Sequence, residues 1–120
     1  MKVLIVEDTL PAALGAKAVL GAFKADVSIA DSGKKALELA VQPFDIILMD
    51  IGLPDTDGFK LTREIHEKCP ANTKTNIVAL TAHTDTSYKE KAKEYGLVGV
   101  INKPLTIENF TEMLQTLSMS

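Results

Sequence analysis

Four apolar runs in this chain end in side chains that could together move a phosphoryl group. Glu7 and Asp8 follow "KVLIV", Asp50 closes "DIILMD", Thr81 closes "NIVALT" and Lys103 follows "VGVIN". Two carboxylates about 4 Å apart repel by roughly 4 kcal/mol at an effective dielectric near 20. Three of them together call for a cation. An all-oxygen set with few protein ligands suits Mg²⁺, which keeps several waters, better than Ca²⁺, which wants more oxygens. In this assignment Asp8 and Asp50 are direct ligands, Gly52 lends its backbone carbonyl, and Glu7 acts through water. With the metal and Lys103 offsetting its charge, an Asp50 carboxylate oxygen can attack phosphorus. The Thr81 hydroxyl and the Lys103 ammonium then meet the charge on the phosphoryl oxygens. The expected product is an aspartyl phosphate at Asp50.

These residues are far apart in the chain, so the fold must gather them. Ile46, Ile47, Leu48 and Met49 lead straight into Asp50, as in a strand covered on both faces of a parallel sheet. Five such runs, "KVLIVE", "DVSIA", "DIILMD", "NIVALT" and "VGVIN", alternate with segments of helical spacing. Leu10, Ala13, Leu14, Ala18 and Phe23 mark the first helix. Ser32 caps the second ahead of Ala36, Leu37 and Ala40, with Pro43 beyond its end. Phe59, Leu61, Ile65 and His66 follow the Asp57-Gly58 turn. The charged "SYKEKAKEYG" stops at Gly96, a natural residue for a helix C-terminus. Ile107, Phe110, Leu114 and Leu117 share the face of the last. The pattern predicts an α/β flavodoxin-like (βα)5 sandwich, a five-stranded parallel sheet in order 2-1-3-4-5 with helices on both faces. In such a sheet ligands bind beyond the carboxyl ends of the strands, where the strand order reverses. All five candidate side chains fall there.

The 120 residues supply one core and not two, so one domain over 1–120 is expected. With 46% apolar and 24% charged residues, the composition is that of a soluble globular protein. A net charge of -3 argues against direct nucleic-acid binding, which needs a clustered basic surface. No apolar run approaches the roughly 20 residues of a membrane span, and "MKVLIVED" turns acidic too early for a signal peptide. A cytoplasmic location follows. The single cysteine, Cys69, excludes an internal disulfide and reads as an ordinary thiol.

The segments "VLIVED", "DIILMDIGLPDTDG", "VALTA" and "NKPL", in this order, resemble the receiver domains of two-component response regulators over essentially the whole chain. The resemblance implies Asp50 as phosphoacceptor, Glu7 and Asp8 as the acidic pair, Thr81 as the switch hydroxyl and Lys103 as the phosphate-contacting lysine. It implies a cis bond before Pro104 as well. The donor would be a phosphohistidine on a histidine kinase or a histidine phosphotransfer domain, and a homodimer through the last strand and its flanking helices is a further possibility in such a family. The family's aromatic on the fifth strand is here Val100. Gly52 and His83 occupy positions that flank the site and influence phosphoryl lifetime. "LTA" and "KPL" without the aromatic look similar to receivers of hybrid sensor histidine kinases, of which this chain would be a piece; the alternative is a stand-alone response regulator.

Other chemistries fit less well. A haloacid-dehalogenase-type phosphotransferase also uses a strand-end Asp and Mg²⁺ but resembles its relatives in a D-x-D pair, whereas here Asp50-Ile51-Gly52 offers no second acid. A flavin carrier of the same fold would cradle phosphate with Gly, Ser and Thr amides, where this chain has "VEDTLP". Asp55, Asp57, Gly58 and Glu64 partly match a calcium loop, but Leu53 stands at its first ligand position; Asp55 and Asp57 read instead as turn and helix-cap residues. His66 lacks metal-ligand spacing and reads as structural or surface, and "YKEKAKEY" reads as a solvated helix face.

Overall fold

The computed structural model describes residues 1–82 and 87–118. The strands are β1 (Lys2–Val6), β2 (Asp26–Ala30), β3 (Ile46–Asp50), β4 (Asn76–Thr81) and β5 (Gly99–Asn102). Between and after them come α1 (Leu10–Gly21), α2 (Gly33–Leu39), α3 (Gly58–Lys68), α4 (Ser87–Glu94) and α5 (Ile107–Thr116), with a 3₁₀ turn at Pro70–Asn72. The strands pair in parallel in the order β2-β1-β3-β4-β5. This is the expected sandwich.

Alternation along the strands divides the interior into two cores. Leu4, Val6, Ile47, Met49, Ile77 and Ala79 face α2, α3 and α4 through Ala36, Phe59, Leu61, Ile65 and Ala92. Val3, Ile5, Ile46, Leu48, Val78 and Leu80 face α1 and α5 through Ala16, Leu20, Phe110 and Leu114. Continuous apolar runs are therefore what a sheet buried on both faces requires.

The first helix presents a different face from the one its spacing suggested. Ala13, Ala16 and Leu20 are buried, while Leu10 and Leu14 are 65% and 52% exposed and Ala18 is exposed. Apolar residues surround this helix on every side, so periodicity carries no phase, and small alanines let the backbone approach the sheet. Ile107 likewise faces outward at 53% exposure, with Phe110 and Leu114 holding α5 down. Phe23, expected within this helix, instead lies in the turn beyond its end at Gly21, where its ring meets Phe110 edge-on at 4.9 Å.

Local signals hold well at the other helix ends. The Ser32 hydroxyl accepts from the Lys35 N–H of α2, and the Thr106 hydroxyl accepts from the Asn109 N–H of α5 in a reciprocal capping box. Gly96 has φ +93 beyond α4, the left-handed conformation a glycine takes at low cost. His66 is structural, with Nε2 3.0 Å from the Thr75 carbonyl. Cys69 is buried; burial, with the nearby Glu64 charge, pushes its thiol pKa up, so the reactive thiolate is disfavoured.

Candidate functional site

The sheet reverses its strand order at β1, which pairs with both β2 and β3. Val6 is opposite Met49, so Glu7 and Asp50 emerge side by side one residue further along. Carboxylate oxygens of Glu7, Asp8 and Asp50 all lie within 4.8 Å of one another. Lys103 comes in from the loop after β5, its Nζ 2.5 Å from Glu7 Oε1 and 3.3 Å from Asp50 Oδ2. The peptide between Lys103 and Pro104 is cis. Thr81, at the end of β4, is buried. It lines one cavity of about 310 Å³ together with Asp50, Gly52, Phe59, Tyr88 and Lys103.

Backbone geometry fixes the Asp50 carboxylate. The Gly52 N–H donates to Asp50 Oδ1 at 3.0 Å, and Gly52 bridges back to Asp57 across the loop. A Cβ on Gly58 would stand 2.6 Å from both the Asp50 carbonyl oxygen and the Ile51 Cα. Only glycine lets the first turn of α3 close so tightly over the end of β3. Asp57 caps α3 by accepting from the Phe59 N–H at 2.7 Å. Asp55 reaches across to the start of α2 and accepts from the N–H groups of Gly33 and Lys34 at 2.9 and 3.1 Å. These bonds hold its pKa below the usual carboxylate range. The two acids that partly matched a calcium loop thus serve as caps.

Electrostatics separate the two inner carboxylates. Burial, reinforced by a hydrogen bond with Asp50 and only partly offset by Lys103, pushes Glu7 up to about 7. For Asp50 burial acts in the same upward direction, yet the bonds with Glu7 and the Gly52 N–H and the charge of Lys103 outweigh it and leave it lowered. Lys103 is lifted: burial disfavours its charge, but the Glu7 bond and the Asp50 charge dominate. Asp50 is thus the more acidic of the two, and Glu7 gives up its proton only around neutrality. Three carboxylates in reach of each other form a hard, all-oxygen donor set that fits Mg²⁺.

A pH prediction follows for the metal-free protein. Burial pushes folded Glu7 up to about 7 against 4.5 for an unperturbed glutamate, so its contribution is fully present below about pH 4.5 and is lost as pH rises through 7. The loss is on the order of 3 kcal/mol. Thermal unfolding without metal should fall in midpoint from pH 5 to pH 8, and Glu7→Gln should flatten that fall. Identical pH profiles for the variant and the wild type would show that Glu7 is not the group responsible.

Of the residues expected at the site, Glu7, Asp8, Asp50 and Lys103 cluster, and Thr81 and Gly52 line the Asp50 cavity. His83 lies outside the described residues. Val100 does not reach this cavity; it lines a separate one of about 220 Å³ with Leu97, Val98 and Met113. Tyr88, Phe59 and Lys91 were not anticipated as site residues, although all three line the Asp50 cavity. The available signal was the spacing of Tyr88, Ala92 and Tyr95 on one face of an otherwise charged helix.

The family model for the response regulator receiver domain matches residues 3–115. The chain is 39% identical over 119 residues to the signal transduction histidine-protein kinase BarA of Escherichia coli, covering 95% of this chain and 12% of that protein. It is 34% identical over 117 residues to the aerobic respiration control sensor protein ArcB of the same species, covering 96% of this chain and 15% of that protein. Among solved structures, the chemotaxis response regulator CheY4 of Vibrio cholerae superposes with a TM-score of 0.87 at 28% identity, covering 97% of both chains. The receiver domain of the sensor histidine kinase PA1611 of Pseudomonas aeruginosa, which holds a magnesium ion in its active-site cleft, superposes with a TM-score of 0.83 at 28% identity, covering 96% of this chain and 94% of that one.

Proposed function

The chain belongs to the response regulator receiver domain family, and on that premise we propose that residues 1–120 form one receiver domain in which Asp50 takes a phosphoryl group from phosphohistidine. The observation that carries this reading is the position of Asp50, ionised and held between the Gly52 N–H and the Lys103 ammonium. In the transfer an Asp50 carboxylate oxygen forms a bond to phosphorus as the bond from phosphorus to the donor imidazole nitrogen breaks. The electron pair leaves with that nitrogen, and the ring takes up a proton from solvent. Lys103 and Thr81, which line one cavity with Asp50, would face the phosphoryl oxygens on which charge develops. Asp8, Asp50 and the Gly52 carbonyl would hold Mg²⁺, with Glu7 acting through water. When bound, the ion supplies neutralisation of the clustered carboxylates and of the phosphoryl oxygens.

The protein assists its own charging and discharging and is not a turnover enzyme: water attack on phosphorus breaks the bond from phosphorus to the Asp50 oxygen, releases inorganic phosphate and returns the carboxylate to its starting form. The donor would be a histidine kinase or a histidine phosphotransfer domain. Exposed Leu10 and Leu14 on α1, which starts beside the acidic rim, offer that partner an apolar seat. Exposed Val98 at the start of β5 similarly leaves room for a second copy along β5, α4 and α5. The similarity to BarA and ArcB supports a hybrid sensor histidine kinase as the parent protein. The reading places this domain in the cytoplasm, where an ATP-fed kinase can charge the donor. Among the described residues no helix is long and apolar enough to cross a membrane.

Incubation with Mg²⁺ and a small acyl phosphate tests the proposal by intact mass. A gain of one phosphoryl group is expected, and removal of the metal with a chelator should prevent it. An unchanged mass with Mg²⁺ present would contradict the reading.

A further inference from the structure

We propose that Tyr88 is a positioning residue whose ring closes the Asp50 cavity on its α4 side and sets how long Asp50 retains its phosphoryl group. This rests on the reading of Asp50 as phosphoacceptor. Tyr88 lines the cavity together with Asp50, Thr81 and Lys103, so a group attached to Asp50 shares its space with the ring. Thr81 follows the alternation of Ile77 and Ala79, which face the core containing α4. The hydroxyl and the ring therefore approach the cavity from the same face of the sheet. β5 offers no ring here, because Gly99–Asn102 contains no aromatic residue.

Tyr88 is held in place by a sequence of rings and cations. Its ring stacks on Phe59 with centroids 6.3 Å apart and planes 25° from parallel, and Phe59 is buried at 4% exposure. Lys91 Nζ stands 4.7 Å from the Phe59 centroid. Tyr95 meets Phe59 at 5.6 Å, and the Arg63 guanidinium covers Tyr95 at 4.5 Å. Aromatic and cation contacts of these kinds fix ring orientation beyond simple burial. Hydrolysis requires a water to reach phosphorus on the side away from the Asp50 oxygen. A ring in the cavity wall limits that approach, and truncating it would widen the path.

Two measurements on the full chain test this. After charging with acyl phosphate and Mg²⁺ and removal of the donor, Tyr88→Ala should raise the ratio of dephosphorylation to phosphorylation rate by about threefold or more, and Tyr88→Phe should restore it. A merely structural role would not split the two rates. The chain has two tyrosines, so labelling with 3-fluorotyrosine gives two fluorine resonances, assigned with Tyr95→Phe. In the otherwise unaltered protein, beryllofluoride with Mg²⁺ should shift the Tyr88 resonance more than that of Tyr95, which requires no alanine variant to fold. A Tyr88→Ala protein that is charged and discharged with wild-type rates, or a Tyr88 resonance that does not move, overturns the role of Tyr88 alone. A wild-type chain that takes no phosphoryl group overturns the Asp50 reading with it.

Discussion

Asn72→Leu is expected to destabilise the protein by about 4 kcal/mol, lowering its thermal midpoint by roughly 15–20 °C. Asn72 is fully buried and uses its whole amide. Nδ2 donates to the carbonyls of Ala40 and Gln42 at 2.7 and 2.8 Å. Oδ1 accepts from the Phe44 N–H at 3.0 Å and from the Thr75 hydroxyl at 2.8 Å. Leucine fills a similar volume but leaves those backbone groups buried without that partner, and each buried unsatisfied group costs about 1–3 kcal/mol. The consequence reaches the site, because residues 40–44 lead directly into β3 and Asp50. A loss under about 1 kcal/mol in chemical denaturation would mean that water replaces the amide and that the network is not structural.

Lys103→Ala is expected to slow phosphorylation by a small acyl phosphate about 100-fold, the usual cost of losing one donor aimed at developing charge. Lys103 contacts both inner carboxylates, so its removal also strips a positive charge from the place where Mg²⁺ would sit. In alkaline buffer, where Glu7 is ionised, Mg²⁺ affinity should therefore be retained or tightened while the rate falls. That opposite movement separates a role in transfer from a role in metal binding. A rate within about threefold of wild type would remove Lys103 from the chemistry.

The strands and the rim were legible in the sequence because two strong signals coincide there. Uninterrupted apolar runs identify doubly covered strands, and a carboxylate such as Asp50 at the end of one can be only at the mouth of the sheet. Strand order then places Glu7 beside Asp50 without further information. What escaped had no local signature. Asn72 sits in the polar stretch "PANTKT", and its backbone partners at residues 40–44 are about 30 residues away in the chain. Asp55 could be read as a cap, but not as the cap of α2, since Gly33 and Lys34 precede it by more than 20 residues. The face of α1 was misjudged because leucines and alanines surround it, and hydrophobicity alone ranks Leu10 above Ala16. Tyr88 was hidden by its charged neighbours: lysines and glutamates dominate the average of α4, while the tyrosines turn inward to Phe59.

The most direct test of the account is to locate the phosphoryl group. Protein charged by acyl phosphate in Mg²⁺ is reduced with borohydride, which converts an acyl phosphate to the alcohol, and is then digested and sequenced by mass. The account predicts homoserine at position 50 and nowhere else, with none formed in Asp50→Asn. Reduction at Glu7, Asp8 or Asp57 instead, or an acid-stable phosphate on Thr81 with Asp50 intact, would contradict it.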